Sequence, residues 1–533
     1  MTGPADVTLS YTYAGALPLQ QAWDFGAAGI AGSVERSYDG RLRLATETVN
    51  YADPITFSYD NDGLLNGAGA MTLTRDPDHG MVTGSQLGDV VDLTEHNDFG
   101  EVSHYAASEG INVLLDILYD RDRAGRIKKK TETVIGGAGP VATYYKYDSR
   151  GRLYRVCSSD VCGTGDVLSE YLYGDDPNDP NDPGHNSDRT GGFTSAGSIT
   201  ATYDDHDRLP GYNGSTYTYT ENGELATKTH GDDTTSYVYD ALSNLRQAVI
   251  TDASTTPDTV TTIEYVVDGQ NRWIGKKVNG VIVQGFLYEN QLRIAAEVDG
   301  DGNVVSRFVY GEKVNVPEYM IRNGQTYHLI TDHLGSPRLV VNATTGVVAQ
   351  QVDYDEFGNA SLVVGEWGFQ PSGFAGGIYD RDTKLTRFGQ RDYDAQTGRW
   401  TAKDPIGFMG KDTMLYGYVL SEPVNLMDPT GNQATLEYDL TTASIQALAK
   451  AGTVTTIALS VACLWSRAVG VLEDVLECKK EWDEAERECL KEMGGPNRGL
   501  HGGHFDLNEC MKGYVSERCG GNNVDWGGRG PCG

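Results

Sequence analysis

A short pattern repeats along the chain as far as about Asn323 and leaves it little freedom in what to fold into. A Tyr-rich alternating run is followed by Asp or Asn, Gly, and then Arg-Leu or a similar pair. Instances are Tyr38-Asp39-Gly40-Arg41-Leu42, Tyr59-Asp60-Asn61-Asp62-Gly63-Leu64, Tyr147-Asp148-Ser149-Arg150-Gly151-Arg152-Leu153, Tyr203-Asp204-Asp205-His206-Asp207-Arg208-Leu209 and Tyr239-Asp240-Ala241-Leu242-Ser243-Asn244-Leu245, with a period near 20 residues. Each unit reads as a hairpin. The Tyr lies on a half-buried strand, Asp/Asn-Gly supplies the positive φ of a two-residue turn, and the Leu on the returning strand faces the same layer as the incoming aromatic. One such hairpin cannot bury its own face, so the units must stack into a continuous sheet. The edges of that sheet must then be closed or covered.

Composition agrees with many short strands: of 533 residues, 66 are Gly and 31 are Tyr. A formal charge of −32 would repel phosphates over most of the surface, which argues against nucleic acid as a partner of the main body. The first ten residues have neither a charged nor an apolar leader region, and a strand-like Leu9-Ser10-Tyr11-Thr12-Tyr13 follows at once. That start suggests an N-terminally incomplete array.

From Tyr327 to Gly431 the repeat becomes a dense, specific sequence. It contains Tyr327-His328-Leu329-Ile330-Thr331-Asp332-His333-Leu334-Gly335-Ser336-Pro337-Arg338, then Tyr354-Asp355-Glu356-Phe357-Gly358, Arg391-Asp392-Tyr393-Asp394, Gly398-Arg399-Trp400, Asp404-Pro405-Ile406-Gly407, Leu415-Tyr416-Gly417-Tyr418 and Asp428-Pro429-Thr430-Gly431. In this order the motifs resemble the Rhs repeat-associated core of bacterial Rhs proteins and Tc toxin C subunits, and the upstream units resemble the YD repeats of those proteins and of teneurins. The resemblance implies a mainly β protein: a spiralling antiparallel YD-repeat β-shell closed by an Rhs core plug. On that basis residues 1–323 are shell, 324–432 core, and 433–533 a small α-helical, cysteine-rich C-terminal domain.

The resemblance also implies chemistry at the end of the core. The family cuts its own chain just after Asp-Pro-x-Gly-Leu with a pair of carboxylates, one activating water and the other polarising the scissile carbonyl. Asp404 occupies a matching Asp-Pro-x-Gly position, Asp412 and Asp428 compete for the second role, and the cut falls at Gly431 and Asn432. Here Asn432 stands where the family has Leu. The bland reading makes all three aspartates turn starters that accept backbone amides two residues on. His328 and His333 flank Asp332 but lack further metal ligands nearby, so packing against the plug is expected of them. The Pro- and Asp-rich stretch from Gly174 to Asp188 reads as a solvated insertion rather than a calcium loop, and Asp299-Gly300-Asp301-Gly302-Asn303 as a hairpin turn, because Tyr310 stands where a calcium loop needs Glu. No cofactor is implied.

Beyond Gly431 the composition changes to helix formers and cysteines. Cys463, Cys478, Cys489, Cys510, Cys519 and Cys532 lie in the last 71 residues, which points to disulfides in an oxidising compartment. Cys478 and Cys489 share a helix face about 16 Å apart, so they cannot bond each other. A helical hairpin bridged Cys478 to Cys519 and Cys489 to Cys510, with Cys463 and Cys532 left to pair, is the expected arrangement. His501, His504 and Cys510 form the alternative, a metal site. The apolar run Ala451 to Trp465 is shorter than the roughly 20 residues a bilayer core needs.

Two functions follow as expectations. One is an Rhs-type polymorphic toxin whose own C-terminal segment is the cargo, with an immunity protein as outside partner. The other is a secreted or surface-attached bacterial shell that contacts cell-surface carbohydrate and has no toxicity.

Overall fold

The computed structural model describes residues 7–26, 30–174, 189–195, 197–410 and 412–436. The expected helices, cysteine pairings and His501/His504/Cys510 site of the C-terminal segment, and nearly all of the 174–188 insertion, lie outside those residues. Among the described residues no helix is long and apolar enough to cross a membrane.

The chain is mainly β. Thirty-two strands, from Thr8–Ala14 to Ala360–Val364, form one sheet. Each pairs antiparallel with the strand before and after it in sequence, for example Asn112–Arg121 with Val102–Glu109 on one side and Ile127–Val134 on the other. The sheet crosses residue 323 without a break: Tyr319–Arg322, Gln325–Thr331 and Pro337–Asn342 are consecutive strands. The first motif of the closing segment is therefore wall, and the packed insert follows Val364.

A meander this long bends round until its early strands meet its late ones. Trp23 Nε1 donates to Asp268 at 3.3 Å, Arg307 pairs with Glu47 at 3.1 Å, and the Tyr319 hydroxyl donates to the Ala68 carbonyl at 3.2 Å. Buried residues from Val7 to Val49 share one apolar cluster with residues from Val266 to Val340. Fully buried His328 lies 3.2 Å from Asp92. The right-handed twist of each strand pair, accumulated over many strands, is the physical origin of such coiling.

The repeat's turn differs from the expected two-residue hairpin. In Tyr147–Leu153 the Asp148 N–H donates to the Arg152 carbonyl at 3.0 Å and Gly151 N–H to the Asp148 carbonyl at 3.0 Å, which leaves a three-residue loop with Gly151 at φ +87°. The Asp148 carboxylate accepts the Arg150 and Arg152 N–H groups, both at 2.9 Å, and Arg152 Nε at 2.7 Å. Aspartate thus builds the turn with its side chain, and positive φ falls three residues after it. In Tyr38-Asp39-Gly40-Arg41-Leu42 that position is Leu42, at φ +64° and 67% exposed, not Gly40. The inward leucine is the one five residues after Asp: Leu153, Leu209 and Leu245 are buried.

The tyrosine links one unit to the last. Tyr147 donates to the Ile127 carbonyl and Tyr173 to the Leu153 carbonyl, both at 2.6 Å. The turn arginine of one unit covers the next tyrosine ring, Arg126 over Tyr147 at 4.5 Å and Arg152 over Tyr173 at 4.3 Å. Asp148→Ala removes the three bonds of its turn and is expected to cost about 1.5–3 kcal/mol locally. Hydrogen exchange should then quicken at Arg150 and Arg152 while strands around Tyr265 keep their protection.

The Asp299 turn has the same form, with Asp299 N–H to Asn303 O at 2.9 Å. Cys157 and Cys162 are disulfide-bonded within the shell, a link not anticipated from the sequence.

The insert after Val364 contains a four-stranded sheet, Ile378–Tyr379, Leu385–Phe388, Arg391–Asp394 and Arg399–Trp400. It fills the inner face of the coil. Lys276 reaches Asp380 at 2.7 Å, Arg387 reaches Asn244 at 2.8 Å, Arg189 reaches the Thr397 carbonyl at 2.6 Å, and Asn425 accepts the Ile127 N–H at 2.7 Å. His333 packs as expected, its ring 4.9 Å from Tyr119 and Nε2 2.7 Å from the Val424 carbonyl.

Candidate functional site

At the end of the insert five aromatic side chains, Phe374, Phe388, Tyr393, Trp400 and Tyr418, form a closed nucleus, with Tyr393 and Tyr418 centroids 4.2 Å apart. Strand Arg391–Asp394 runs beside it and is buried along its length. Alternation places Arg391 and Tyr393 on one side, Asp392 and Asp394 on the other. The Arg391 guanidinium lies 4.1 Å over the Trp400 ring, so its aliphatic stem and charge are both held.

A buried guanidinium must be paired. Arg391 Nη2 lies 3.0 Å from Asp404 Oδ2 and 3.3 Å from Asp428 Oδ2, while Nε donates to the Gly431 carbonyl at 2.5 Å. Asp412 is close enough for its charge to act on Arg391. Two of the three aspartates singled out from sequence thus pair with one arginine, and the third acts on it through its charge alone. The resemblance named the Arg391-Asp392-Tyr393-Asp394 motif without giving Arg391 a role; the missing signal was that a charged residue on an otherwise inward strand needs partners.

All three aspartates also cap turns, as the bland reading held. Asp404 Oδ1 accepts Ile406 N–H and Asp412 Oδ1 accepts Met414 N–H, each at 2.8 Å. Asp428 Oδ1 accepts the Thr430 hydroxyl at 3.0 Å and the Asn432 N–H at 3.1 Å. Each carboxylate keeps its second oxygen free of its own turn.

Burial pushes the Asp404 carboxyl up, with Arg391 and the Ile406 amide pulling against it. Burial likewise raises Asp412 against the Met414 amide and Arg391. Burial thus favours the neutral form of both carboxyls, and Arg391 opposes it. Asp392, facing away, is paired with Arg387 at 3.0 Å and raised by burial.

The backbone from Asp428 to Ala434 is the loop of a small hairpin, Leu426–Met427 against Thr435–Leu436. Gln390 N–H donates to the Thr430 carbonyl at 3.0 Å. Gly431, at φ +68°, lies so close to the turn between strands Leu385–Phe388 and Arg391–Asp394 that a Cβ would fall 2.4 Å from the Phe388 carbonyl and 2.9 Å from the Arg391 nitrogen. A Cβ on Gly410 would meet Asp404 Oδ2 at 2.9 Å and the Asn432 carbonyl oxygen at 3.1 Å, so those two oxygens flank one small space. The carbonyl that borders this space with Asp404 is that of Asn432, whereas that of Gly431 is bound by Arg391. Among the described residues no cluster of His, Cys, Asp and Glu is arranged to hold a metal ion.

Gly410→Ala places a methyl between the Asp404 carboxyl and that carbonyl. We expect it to suppress any cleavage at Asn432 and to lower the thermal midpoint by about 2–4 °C, since the added carbon is closer to both oxygens than packing allows. Gel analysis of purified protein beside a melting curve checks both.

Residues 1–424 match the Teneurin YD-shell family. Teneurin-3 of Danio rerio is 29% identical over 172 residues, 31% of this chain and 6% of that protein. The tRNA3(Ser)-specific nuclease WapA of Bacillus spizizenii is 25% identical over 243 residues, 45% of this chain and 10% of that protein. The crystal structure of TcdB2-TccC3 superposes with a TM-score of 0.55 at 16% identity, covering 80% of this chain and 24% of that one. The chain spans a small part of each of these relatives.

Proposed function

The chain belongs to the Teneurin YD-shell family, and from that premise we propose that it is a self-processing, Rhs-type encapsulating shell, exported from or displayed on a bacterial cell, that carries residues 433–533 as an effector. The observation that carries this reading is the Arg391 clamp. One guanidinium gathers two carboxylates and the Gly431 carbonyl at the junction where the core ends.

Arg391 fixes the carboxylates and the loop. Asp404, whose carboxyl burial raises against the pull of Arg391, takes the part of the acid that polarises the Asn432 carbonyl. Asp428 fixes the Asn432 amide and is the second carboxylate of the pair; Asp412 adds negative charge that favours one shared proton. Likeness over 243 residues to a tRNA3(Ser)-specific nuclease supports an effector role for the tail, with an immunity protein as its partner.

A second reading, a shell for adhesion to cell-surface carbohydrate without toxicity, is favoured by Asn432 in place of the expected Leu. Producing residues 433–533 alone in bacterial cytoplasm and periplasm separates the two. Growth arrest in either compartment is the expected result; normal growth in both, with the protein detected, would favour the adhesive shell.

A further inference from the structure

Asn432 differs from the leucine expected at this position in one chemical respect: its side chain carries a nitrogen able to reach its own main-chain carbonyl. Its surroundings restrict that side chain. The main-chain N–H is held by Asp428 Oδ1 at 3.1 Å and by the Thr430 hydroxyl at 3.3 Å. Side-chain Nδ2 donates to the Thr430 carbonyl at 3.2 Å. Oδ1 is buried without a hydrogen-bond partner among the described residues.

That pattern changes the amide's reactivity. A donor on Oδ1 would draw electron density from nitrogen into the carbonyl and deaden it as a nucleophile. Here the oxygen has none among the described residues, while the Nδ2–H bond to Thr430 pushes density onto nitrogen. The carbonyl under attack borders, with Asp404 Oδ2, the small space beside Gly410. Nucleophile and electrophile belong to one residue whose main-chain N–H and side-chain Nδ2 are both held, which removes the entropic cost of bringing a water molecule into line.

We propose that the chain is cut between Asn432 and Gln433 by cyclisation of Asn432 rather than by hydrolysis. This rests on the self-processing reading above. Nδ2 attacks the Asn432 carbonyl carbon, and a carbon–nitrogen bond forms that closes a five-membered imide. The bond to the Gln433 nitrogen breaks. Asp404 donates its proton to that departing nitrogen and regains one from Nδ2, so the net transfer is one proton from Nδ2 to the new amino terminus. No water, oxidant or other reactant is consumed.

The test uses the full chain, produced and purified in water enriched in heavy oxygen and measured by intact mass and C-terminal peptide mapping. Cyclisation predicts an N-terminal fragment one water lighter than the carboxylic acid, or its ring-opened mixture of asparagine and isoasparagine at the C-terminus. Asn432→Leu should lower the extent of cleavage at least about tenfold, because it deletes the nucleophile. A wild-type fragment ending in labelled asparagine acid with no isoasparagine would overturn cyclisation and leave self-processing standing. An uncut chain would overturn both.

Discussion

Arg391→Met should destabilise the core by about 3–5 kcal/mol and abolish cleavage together. The substitution keeps most of the stem that packs on Trp400 but leaves Asp404 and Asp428 facing each other with no cation, and removing one partner of a buried charged set costs this much because the others stay desolvated. The size of the effect identifies its cause. In an Asp404→Asn, Asp428→Asn background, Arg391→Met should cost markedly less, since neutral amides tolerate the loss. Arg391→Lys should recover part of the stability, because a charge returns, but not cleavage. A single ammonium cannot hold two carboxylates and the Gly431 carbonyl in one plane. Urea midpoints and denaturing gels on the wild type and the four variants decide it. A loss of stability that is the same in both backgrounds would mean that packing, not charge, is the contribution of Arg391.

The other large effect concerns the coil itself. Arg338, buried, donates to both oxygens of Glu132 at 3.0 and 2.7 Å and to Asp353 at 2.8 Å, tying strand Ile127–Val134 to strand Pro337–Asn342. Burial alone would raise the Glu132 carboxyl, but Lys130 and Arg338 overcome it and hold it down at about 2. Arg338→Met should therefore cost about 3 kcal/mol, with Lys130 still beside Glu132 at 2.8 Å. The acid dependence has a definite sign. The folded carboxyl titrates below its ordinary value of 4.5, so its contribution is complete above that pH and is lost as pH falls towards 2. That contribution is about 3 kcal/mol. Glu132→Gln should flatten this part of the acid curve relative to wild type, measured as the urea midpoint between neutral pH and pH of about 3. Parallel curves for the two proteins would show that Glu132 is not ionised through this clasp.

Much of this architecture was legible because the repeat is local. Tyrosine, aspartate and the inward leucine recur at short spacing, and each has a mechanical part in its own hairpin. The turn was misread for a local reason as well. Gly40 in Tyr38-Asp39-Gly40 resembles a two-residue turn glycine, yet the Asp39 carboxylate accepts the Arg41 and Arg43 amides and shifts the left-handed position to Leu42. Contacts between early and late strands, such as Asp92 with His328 or Glu132 with Arg338, have no sequence signature, since they depend on how far the twist has carried the sheet. The site was half legible. Asp404, Asp412 and Asp428 each follow from turn chemistry and resemblance, but what unites them is Arg391, whose partners lie far along the chain.

The most direct test of self-processing within an encapsulating shell is to weigh one preparation of the full chain twice, by native and by denaturing, non-reducing mass spectrometry, beside Asp404→Asn. The expected result is a single full-length mass under native conditions, two masses meeting at Asn432–Gln433 after denaturation, and one mass for the variant throughout. A single full-length mass for wild type after denaturation would make Asp404 a turn residue and contradict processing. Two masses already separate under native conditions would contradict a shell that retains what it has cut.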